Sequence, residues 1–388
     1  MDIVPSETLS PPQCDDDACS CDSSEIDEQN HFFDVIQAFS TYIACSMKRV
    51  IKYEQDSRKM SSFGKTHFEQ IFIDRIASLK QKIAINQEFL SFIIQPQLQT
   101  MDQSQFELAS EWNASKVRST LSQFMREWSS EGQDERNQYT PLFLSTLERY
   151  LPISETRQPS VLIPGCGLGR LCFDVAQRGY RVEGNEFSYF MLLGSSAVLN
   201  RLLVADNHKK DQPNITEGTD EQDTDDESTW TIYPFVSQFN NNTSFENQVR
   251  PVVIPDTHID SFPPDWAMSM SAGEFCQVYD EQPSSFDCVI FHFFIDTAHD
   301  IAEYITTVST TLKPGGIFMI YGPLLYHYGD METEYSVDYT FDDVKHLLRT
   351  SHFELLDESV HQCTYCADPR SLMKTVYSAH FILAKKKI

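Results

Sequence analysis

Three glycines at alternate positions, Gly165, Gly167 and Gly169, stand directly behind the apolar run in "VLIPGCGLGRL" (161–171). Glycine weakens regular structure, so such a cluster marks a tight turn or a ligand lying against bare backbone. In a chain that alternates strands and helices, the first strand-to-helix turn is where a nucleotide-like ligand meets the backbone. The dinucleotide fingerprint is G-x-G-x-x-G. Here the spacing is G-x-G-x-G, which disfavours a nicotinamide enzyme and fits S-adenosylmethionine (SAM), a cofactor without a pyrophosphate to seat on the helix. A purely structural turn, placed at the surface, is the plainer alternative. The second strand tests the choice. A cofactor ribose calls for an acidic residue about 20 residues past the first glycine. "RVEGNEFS" (181–188) supplies Glu186 at that distance, a carboxylate able to accept both ribose hydroxyls.

Such residues need a sheet to carry them. Apolar runs at 160–164, 181–186, 251–254, 286–295, 317–322 and 376–384 alternate with helical stretches, the pattern of an open, mostly parallel sheet. Upstream the period changes. "HFFDVIQAFSTYIACSMKRVIKYEQ" sets Phe33, Ile36, Phe39, Ile43, Met47 and Ile51 at spacings of three and four, which predicts one amphipathic helix. "FEQIFIDRIASLKQKIAINQEFLSFII" repeats the pattern, and "ASKVRSTLSQFMREWSSEG" predicts a third helix ending near Gly132. Residues 30–150 therefore read as a helical region without strands, and 151–388 as an α/β domain. Two segments, the acidic, serine-rich leader 1–29 and the charged insertion 206–229, carry few large apolar groups and are expected to be disordered.

The formal charge of -27 and pI near 4.6 describe a surface that repels phosphate backbones, so nucleic acid is not an expected partner. A small substrate bearing an amine or imidazole is compatible with it. No signal peptide opens the chain, and no apolar stretch approaches the ~20 residues that cross a bilayer. The expectation is a soluble protein of the cytoplasm, with the nucleus also compatible, and no membrane partner. The cysteines in "CDDDACSC" (Cys14, Cys19, Cys21) and "CTYC" (Cys363, Cys366) lack the matched pairing of a zinc site, so no metal is expected.

Three longer stretches carry a family resemblance. "PGCGLGRLCFDVAQRGYRVEGNEFSYFMLLGSSAVLNR", "FFIDTAHD" (293–300) and "LKPGGIFMIYGPLLYHYGD" (312–330) closely resemble the carnosine N-methyltransferase family, as does the helix "VRSTLSQFMREWSSEGQDER" ahead of them. The resemblance extends over roughly residues 31–388, the insertion excepted.

It implies a class I SAM-dependent methyltransferase: a Rossmann-like core with a mostly parallel seven-stranded sheet, preceded by an N-terminal helical region. It implies methyl transfer to an imidazole nitrogen of a histidine-containing dipeptide, carnosine, giving anserine, and a homodimer through the helical region. Implied cofactor contacts are Gln123 and Arg126, the loop at Gly165 and Gly167, Glu186, and Glu274 with Phe275. Gln123 and Arg126 lie three apart on one helix, so both can face one pocket, and Arg126 suits a bidentate hold on the methionine carboxylate. Glu274 stands where the family more often has Asp. His292, expected at the adenine, stands where a smaller residue is expected.

Implied substrate residues are Asp296, His327, Tyr365 and Tyr377, with Asp296 and His327 as the catalytic pair. A carboxylate that accepts the imidazole N–H fixes the tautomer and stabilises the developing imidazolium, a role that suits Asp296. His327 would hold the ring or take the proton lost after transfer, while the tyrosines would grip the dipeptide or stack on its ring. The bland alternatives are that Asp296 caps the helix beginning near Thr297, that His327 is a satisfied core histidine, and that both tyrosines merely pack; Phe293 and Phe294 read as core. At the level of function, another nucleophile (a protein histidine or a different amine) and a non-catalytic Rossmann-like scaffold remain open.

Overall fold

The computed structural model describes residue 3 and residues 23–203, 229–258 and 266–388. The insertion at 206–229 falls outside the described residues except for Thr229, as does most of the leader. Among the described residues no helix is long and apolar enough to cross a membrane.

The first third of the chain is helical, as its periodicity requires: α1 (Ser23–Ser40), α2 (Tyr42–Ser57), α3 (Ser62–Ile93), the single turn α4 (Gln95–Leu98), α5 (Glu111–Trp128), the short α6 (Gln133–Arg136) and α7 (Thr140–Tyr150). Two boundaries differ from expectation. The single helix read over 31–55 is broken at Thr41, which leaves helical geometry (φ -102°, ψ 11°) and separates α1 from α2. α1 also starts at Ser23, inside the segment read as a disordered leader. Ile3 belongs to that leader too, yet it is buried: its carbonyl accepts from Met270 N (3.1 Å) and its N–H donates to Asn200 Oδ1 (2.8 Å).

Behind these helices stands a seven-stranded sheet of order β5-β2-β1-β6-β7-β9-β8, built from β1 (Ser160–Pro164), β2 (Arg181–Glu186), β5 (Met268–Ala272), β6 (Phe286–His292), β7 (Leu312–Gly322), β8 (Phe353–Cys363) and β9 (Tyr377–Lys386). The first five in that order run parallel, and β9 is antiparallel to both β7 and β8. The run at 251–254 is not part of it. Val252–Ile254 is β4, which pairs antiparallel with β3 (Trp230–Ile232) in a separate ribbon. Sequence reading passed over β5 and β8, and the sheet order shows why: both are edge strands. β5 reads "MSMSA" and β8 is half polar, because an edge strand is covered on fewer sides than a central one.

The central strands alternate between two cores, as the period of two demands. Val161 and Ile163 face a cluster shared with α1, α3 and α5, while Leu162 faces a second one with α12 (Ile301–Thr311) and α13 (Phe341–Thr350). The helical region therefore shares one continuous core with the sheet. Asn86 of α3 fastens the helical region to the β3–β4 ribbon: fully buried, it donates to Tyr42 Oη (3.1 Å) and to Tyr233 O just after β3 (2.9 Å), and accepts from Tyr233 N (2.7 Å).

β1 has β2 on one side and β6 on the other, so the strand order reverses between β1 and β6 and opens a crevice at their carboxyl ends. The loop from β1 to α8 (Arg170–Ala176) passes through left-handed backbone at all three glycines, with φ of +63°, +59° and +84°. That is what the glycines are for. The loop is also largely buried rather than at the surface: a Cβ on Gly167 would stand 2.7 Å from Glu127 Oε1, and one on Gly165 would strike the Phe294 ring.

Both the fastening and the loop can be tested by substitution. Asn86→Ala leaves the Tyr233 N–H buried and unpaired and its C=O with only the long bond from Val236 N (3.3 Å), and urea denaturation is expected to show a loss of about 1–3 kcal/mol. Gly167→Val combines a disfavoured φ, worth roughly 1–3 kcal/mol, with a collision against Glu127. It is expected to lower both thermal stability and cofactor affinity, measured by calorimetry on the same sample.

Candidate active site

The crevice is floored by α5, whose end is shaped by "REWSSEGQDER" (126–136). Gln123, Arg126 and Glu127 lie at i, i+3 and i+4 and so share the face turned toward the glycine loop. The helix stops at Ser129, where a 3₁₀ turn (Ser130–Gly132) folds back beneath it. Gly132 is required there because a Cβ would strike the Arg126 carbonyl. The turn returns Glu135 onto Arg126. It also places Arg136 Nη1 on the Arg126 and Ser129 carbonyls (both 2.8 Å), where it satisfies the end of α5.

Glu127 is the carboxylate that fixes the loop. Its oxygens accept from Leu168 N (3.2 Å) and Arg170 N (3.1 Å), the donors at the start of α8, and from Gln123 Nε2 (2.8 Å). Burial pushes its carboxyl up, and neighbouring Arg126 and the two backbone N–H groups pull it back. On the far side of the loop, Glu186 Oε2 accepts from Gly167 N (2.9 Å), while Oε1 accepts from Phe187 N and Ser188 N (both 2.9 Å). A carboxylate has about four acceptor positions. Three are taken, so Glu186 has room for one ribose hydroxyl rather than the two expected.

Arg126 is 4% exposed. Its Nε is bound to Glu135 Oε1 (2.6 Å), while Nη1 lies 3.8 Å from Glu127 Oε1 and Nη2 lies 3.4 Å from His292 Nε2. The Tyr139 and Tyr365 rings cover the guanidinium at 5.3 and 4.5 Å. His292, expected at the adenine, sits instead at this end, against Tyr139 with ring centres 3.9 Å apart. Burial, with the Arg126 charge beside it, pushes its imidazole well below the usual range and keeps it neutral. The histidine fits because it ends β6 opposite Arg126 and needs no charge there.

Glu274 and Phe275 stand at the far end of the crevice, after β5. Glu274 Oε2 caps α11 (Phe275–Tyr279) by accepting from Gln277 N (2.9 Å). The Phe275 ring is core, edge-on to Phe291, Phe294 and Tyr304. Its share in a ligand site is limited to its backbone N–H.

At the end of β6, Phe293 adopts a left-handed backbone (φ +52°), a conformation that costs a non-glycine residue of order 1–3 kcal/mol. Such strain persists where the surroundings impose it, and Phe293 N is held by Tyr321 O (2.8 Å). Its ring lines the pocket with Gln123, Arg126, His292 and Tyr365, so the expectation of a core residue holds only for Phe294. Tyr365 (4.8 Å) and Tyr377 (6.2 Å) flank that ring. The three aromatics form a wall with Arg126 behind it.

Asp296 is 3% exposed, on a 3₁₀ turn (Ile295–Thr297). Its Oδ2 accepts from Leu325 N (2.8 Å), and its carbonyl accepts from His327 N (3.1 Å). Burial raises its carboxyl, opposed by the Leu325 N–H and the nearby His327. It does not cap the following helix, because Asp300 caps α12 by accepting from Ala302 N (2.8 Å). His327 is exposed rather than a core histidine. Its loop is tied down by His299, which stacks on Tyr328 (3.6 Å) and meets Glu334 (3.1 Å).

The residues sequence reading missed are Glu127, Glu135, Tyr139 and Phe293. Glu127 had a signal, since it completes the i, i+3, i+4 face with Gln123 and Arg126. Glu135 had none, because its place depends on the turn at Gly132. Among the described residues no three His, Cys, Asp or Glu side chains are gathered for a metal ion.

The family model described as "Carnosine N-methyltransferase" matches residues 103–227 and 221–388. The chain is 32% identical over 372 residues to the carnosine N-methyltransferase of Rattus norvegicus, covering 92% of this chain and 86% of that protein. It is 35% identical over 274 residues to "Carnosine N-methyltransferase unmet" of Drosophila melanogaster, covering 70% and 55%. Among solved structures, Haemonchus contortus phosphoethanolamine N-methyltransferase 2 with S-adenosylhomocysteine is 14% identical, with a TM-score of 0.40 over 70% of this chain and 58% of that one. That likeness is too distant to bear on the site. A match that runs from ahead of α5 to the last strand, on a chain that aligns with the rat enzyme over nearly its whole length, places this protein in the carnosine N-methyltransferase family.

Proposed function

We propose that this chain transfers a methyl group from SAM to an imidazole nitrogen of carnosine, giving the N-methylated dipeptide anserine. The observation that carries the reading is the buried carboxylate of Asp296 near His327, three residues along the chain from Phe293, whose ring lines the crevice with Tyr365 and the Arg126 guanidinium. Arg126 offers its two Nη groups to the cofactor's carboxylate, since its Nε is already held by Glu135. Glu186 keeps one acceptor position for a ribose hydroxyl, and the backbone of the glycine loop lies between them. When bound, SAM supplies the electrophilic methyl.

The protein supplies alignment and a dry polar pocket, which is what an in-line displacement needs. The Asp296 carboxylate accepts from Leu325 N and from its own backbone N–H and retains acceptor positions for a substrate N–H. Holding that N–H leaves the lone pair on the other ring nitrogen, and the carboxylate's charge stabilises the imidazolium as it forms. His327, at the exposed rim, takes the proton that the ring must lose. Tyr365 and Tyr377 pack the dipeptide against the Phe293 wall. A second copy of the chain is the proposed occupant of the apolar flank of α3, where Phe63, Phe68, Ile71 and Ile73 are exposed. Light scattering at twice the chain mass supports that pairing, and the monomer mass opposes it.

Glu186→Ala is expected to weaken SAM binding by about 1.5–3 kcal/mol, the worth of a hydrogen bond to a charged group; an unchanged calorimetric affinity removes Glu186 from the cofactor site. Asp296→Asn preserves size and removes charge. Its kcat with carnosine is expected to fall on the order of 10²-fold or more, with SAM affinity and melting temperature near wild type. Wild-type turnover in that variant would strip Asp296 of its catalytic part.

A further inference from the structure

Glu135, described so far only as the partner of Arg126 Nε, also reaches the loop on either side of Tyr365. It is 7% exposed. Oε1 accepts from Arg126 Nε (2.6 Å) and from Cys366 N (2.9 Å). Oε2 accepts from the Thr364 hydroxyl (3.2 Å) and from Ala367 N (3.3 Å). One buried anion thus ties the proposed carboxylate-binding arginine to the residues on either side of Tyr365.

Tyr365 itself is not bound by Glu135; its hydroxyl meets the Gln123 side chain. It is 40% exposed, and the inner face of its ring lies on the Arg126 guanidinium and the Phe293 ring. The rest of its loop is anchored by Cys366 Sγ on Gln123 Oε1 (2.6 Å) and, further away, by Thr364 N on Gln138 Oε1 (2.9 Å) and the Arg250–Asp368 pair (2.7 Å). Where Tyr365 stands therefore depends on where Glu135, Arg126 and Gln123 stand. A cofactor carboxylate on the Nη side of Arg126 would fix a guanidinium whose other edge is already committed to Glu135. Fixing it would set the Tyr365 loop against which a substrate packs.

We propose that Glu135 is a positioning residue that couples the cofactor end to the substrate end, so that cofactor binding orders the 364–367 loop and precedes dipeptide binding. Coupling of this kind is reciprocal: the dipeptide must tighten the cofactor by the same factor that the cofactor tightens the dipeptide. The substrate half of the proposal rests on the carnosine reading, while the loop-ordering half does not.

The test uses the full-length chain and S-adenosylhomocysteine, which binds without turnover. Hydrogen exchange of the Tyr365, Cys366 and Ala367 amides is followed with and without it. Calorimetry gives its affinity with and without saturating carnosine. In the wild type the ligand is expected to slow exchange at these amides at least fivefold, and carnosine is expected to tighten it at least fivefold. Glu135→Gln keeps the shape but turns one carboxylate oxygen into an amide that faces N–H donors, so both effects are expected to vanish. Thr364→Val removes one of the loop's bonds to Glu135, together with a long contact from Gln138 Nε2 (3.5 Å), and guards against a misfolded Glu135 variant. It is expected to leave the affinity for S-adenosylhomocysteine alone unchanged and to reduce the coupling. Exchange that ignores the ligand in the wild type overturns the proposal, as does full protection and coupling in Glu135→Gln. If carnosine does not bind at all, the carnosine reading fails, and the exchange arm still decides the part played by Glu135.

Discussion

Four charged side chains from one short stretch, Arg126, Glu127, Glu135 and Arg136, are buried together at the end of α5. Taking an ion out of water costs several kcal/mol unless partners replace the solvent, so each must be matched. The matches come from separate parts of the chain: the backbone of the glycine loop for Glu127, the 364–367 loop for Glu135, and Asp256 (2.5 Å) for Arg136. Arg126 is matched within the stretch on its Nε edge and faces the crevice with its Nη edge. The need to satisfy these charges draws together the helical region, the first turn of the core and the last hairpin. The α5–α6 unit is a wall of the site, not an appendage in front of it.

This arrangement divides the crevice into two ends. Charge gathers at one, around Arg126 and the glycine loop, with the rings of Phe293, Tyr365 and Tyr377 against it. Three residues past Phe293 is the buried carboxylate of Asp296, proposed to hold the substrate at the other. The strained backbone of Phe293 is what turns its ring into the pocket rather than into the core with Phe294. His292, one residue earlier, remains neutral beside Arg126, so it adds a ring surface without competing for the charge.

Much of this was legible in the residues. The central strands announced themselves as apolar runs because both their faces are buried, and the glycine spacing with Glu186 marked the crevice before any coordinate did. Gln123 and Arg126 were named by the family resemblance, and helical periodicity agrees in putting them on one face. What escaped has a common physical cause. β5 and β8 are edges, so their composition carries little of the apolar signal. Glu135 acts through a chain reversal that depends on Gly132, and a contact made across a turn leaves no periodic trace. His292, expected at the adenine, stands against Arg126 and Tyr139, a neighbourhood set by how the end of β6 packs on α5 and so not announced by the sequence around it.

If the α5–α6 charges build the cofactor end and Asp296 the substrate end of one site, both ligands must occupy it together. A crystal structure with S-adenosylhomocysteine and carnosine bound at once measures this directly. The cofactor's carboxylate is expected on the Nη groups of Arg126, with Nε still on Glu135, and the carnosine imidazole N–H on the Asp296 carboxylate. A carboxylate held elsewhere, with the imidazole turned away from Asp296, would contradict that division of the crevice.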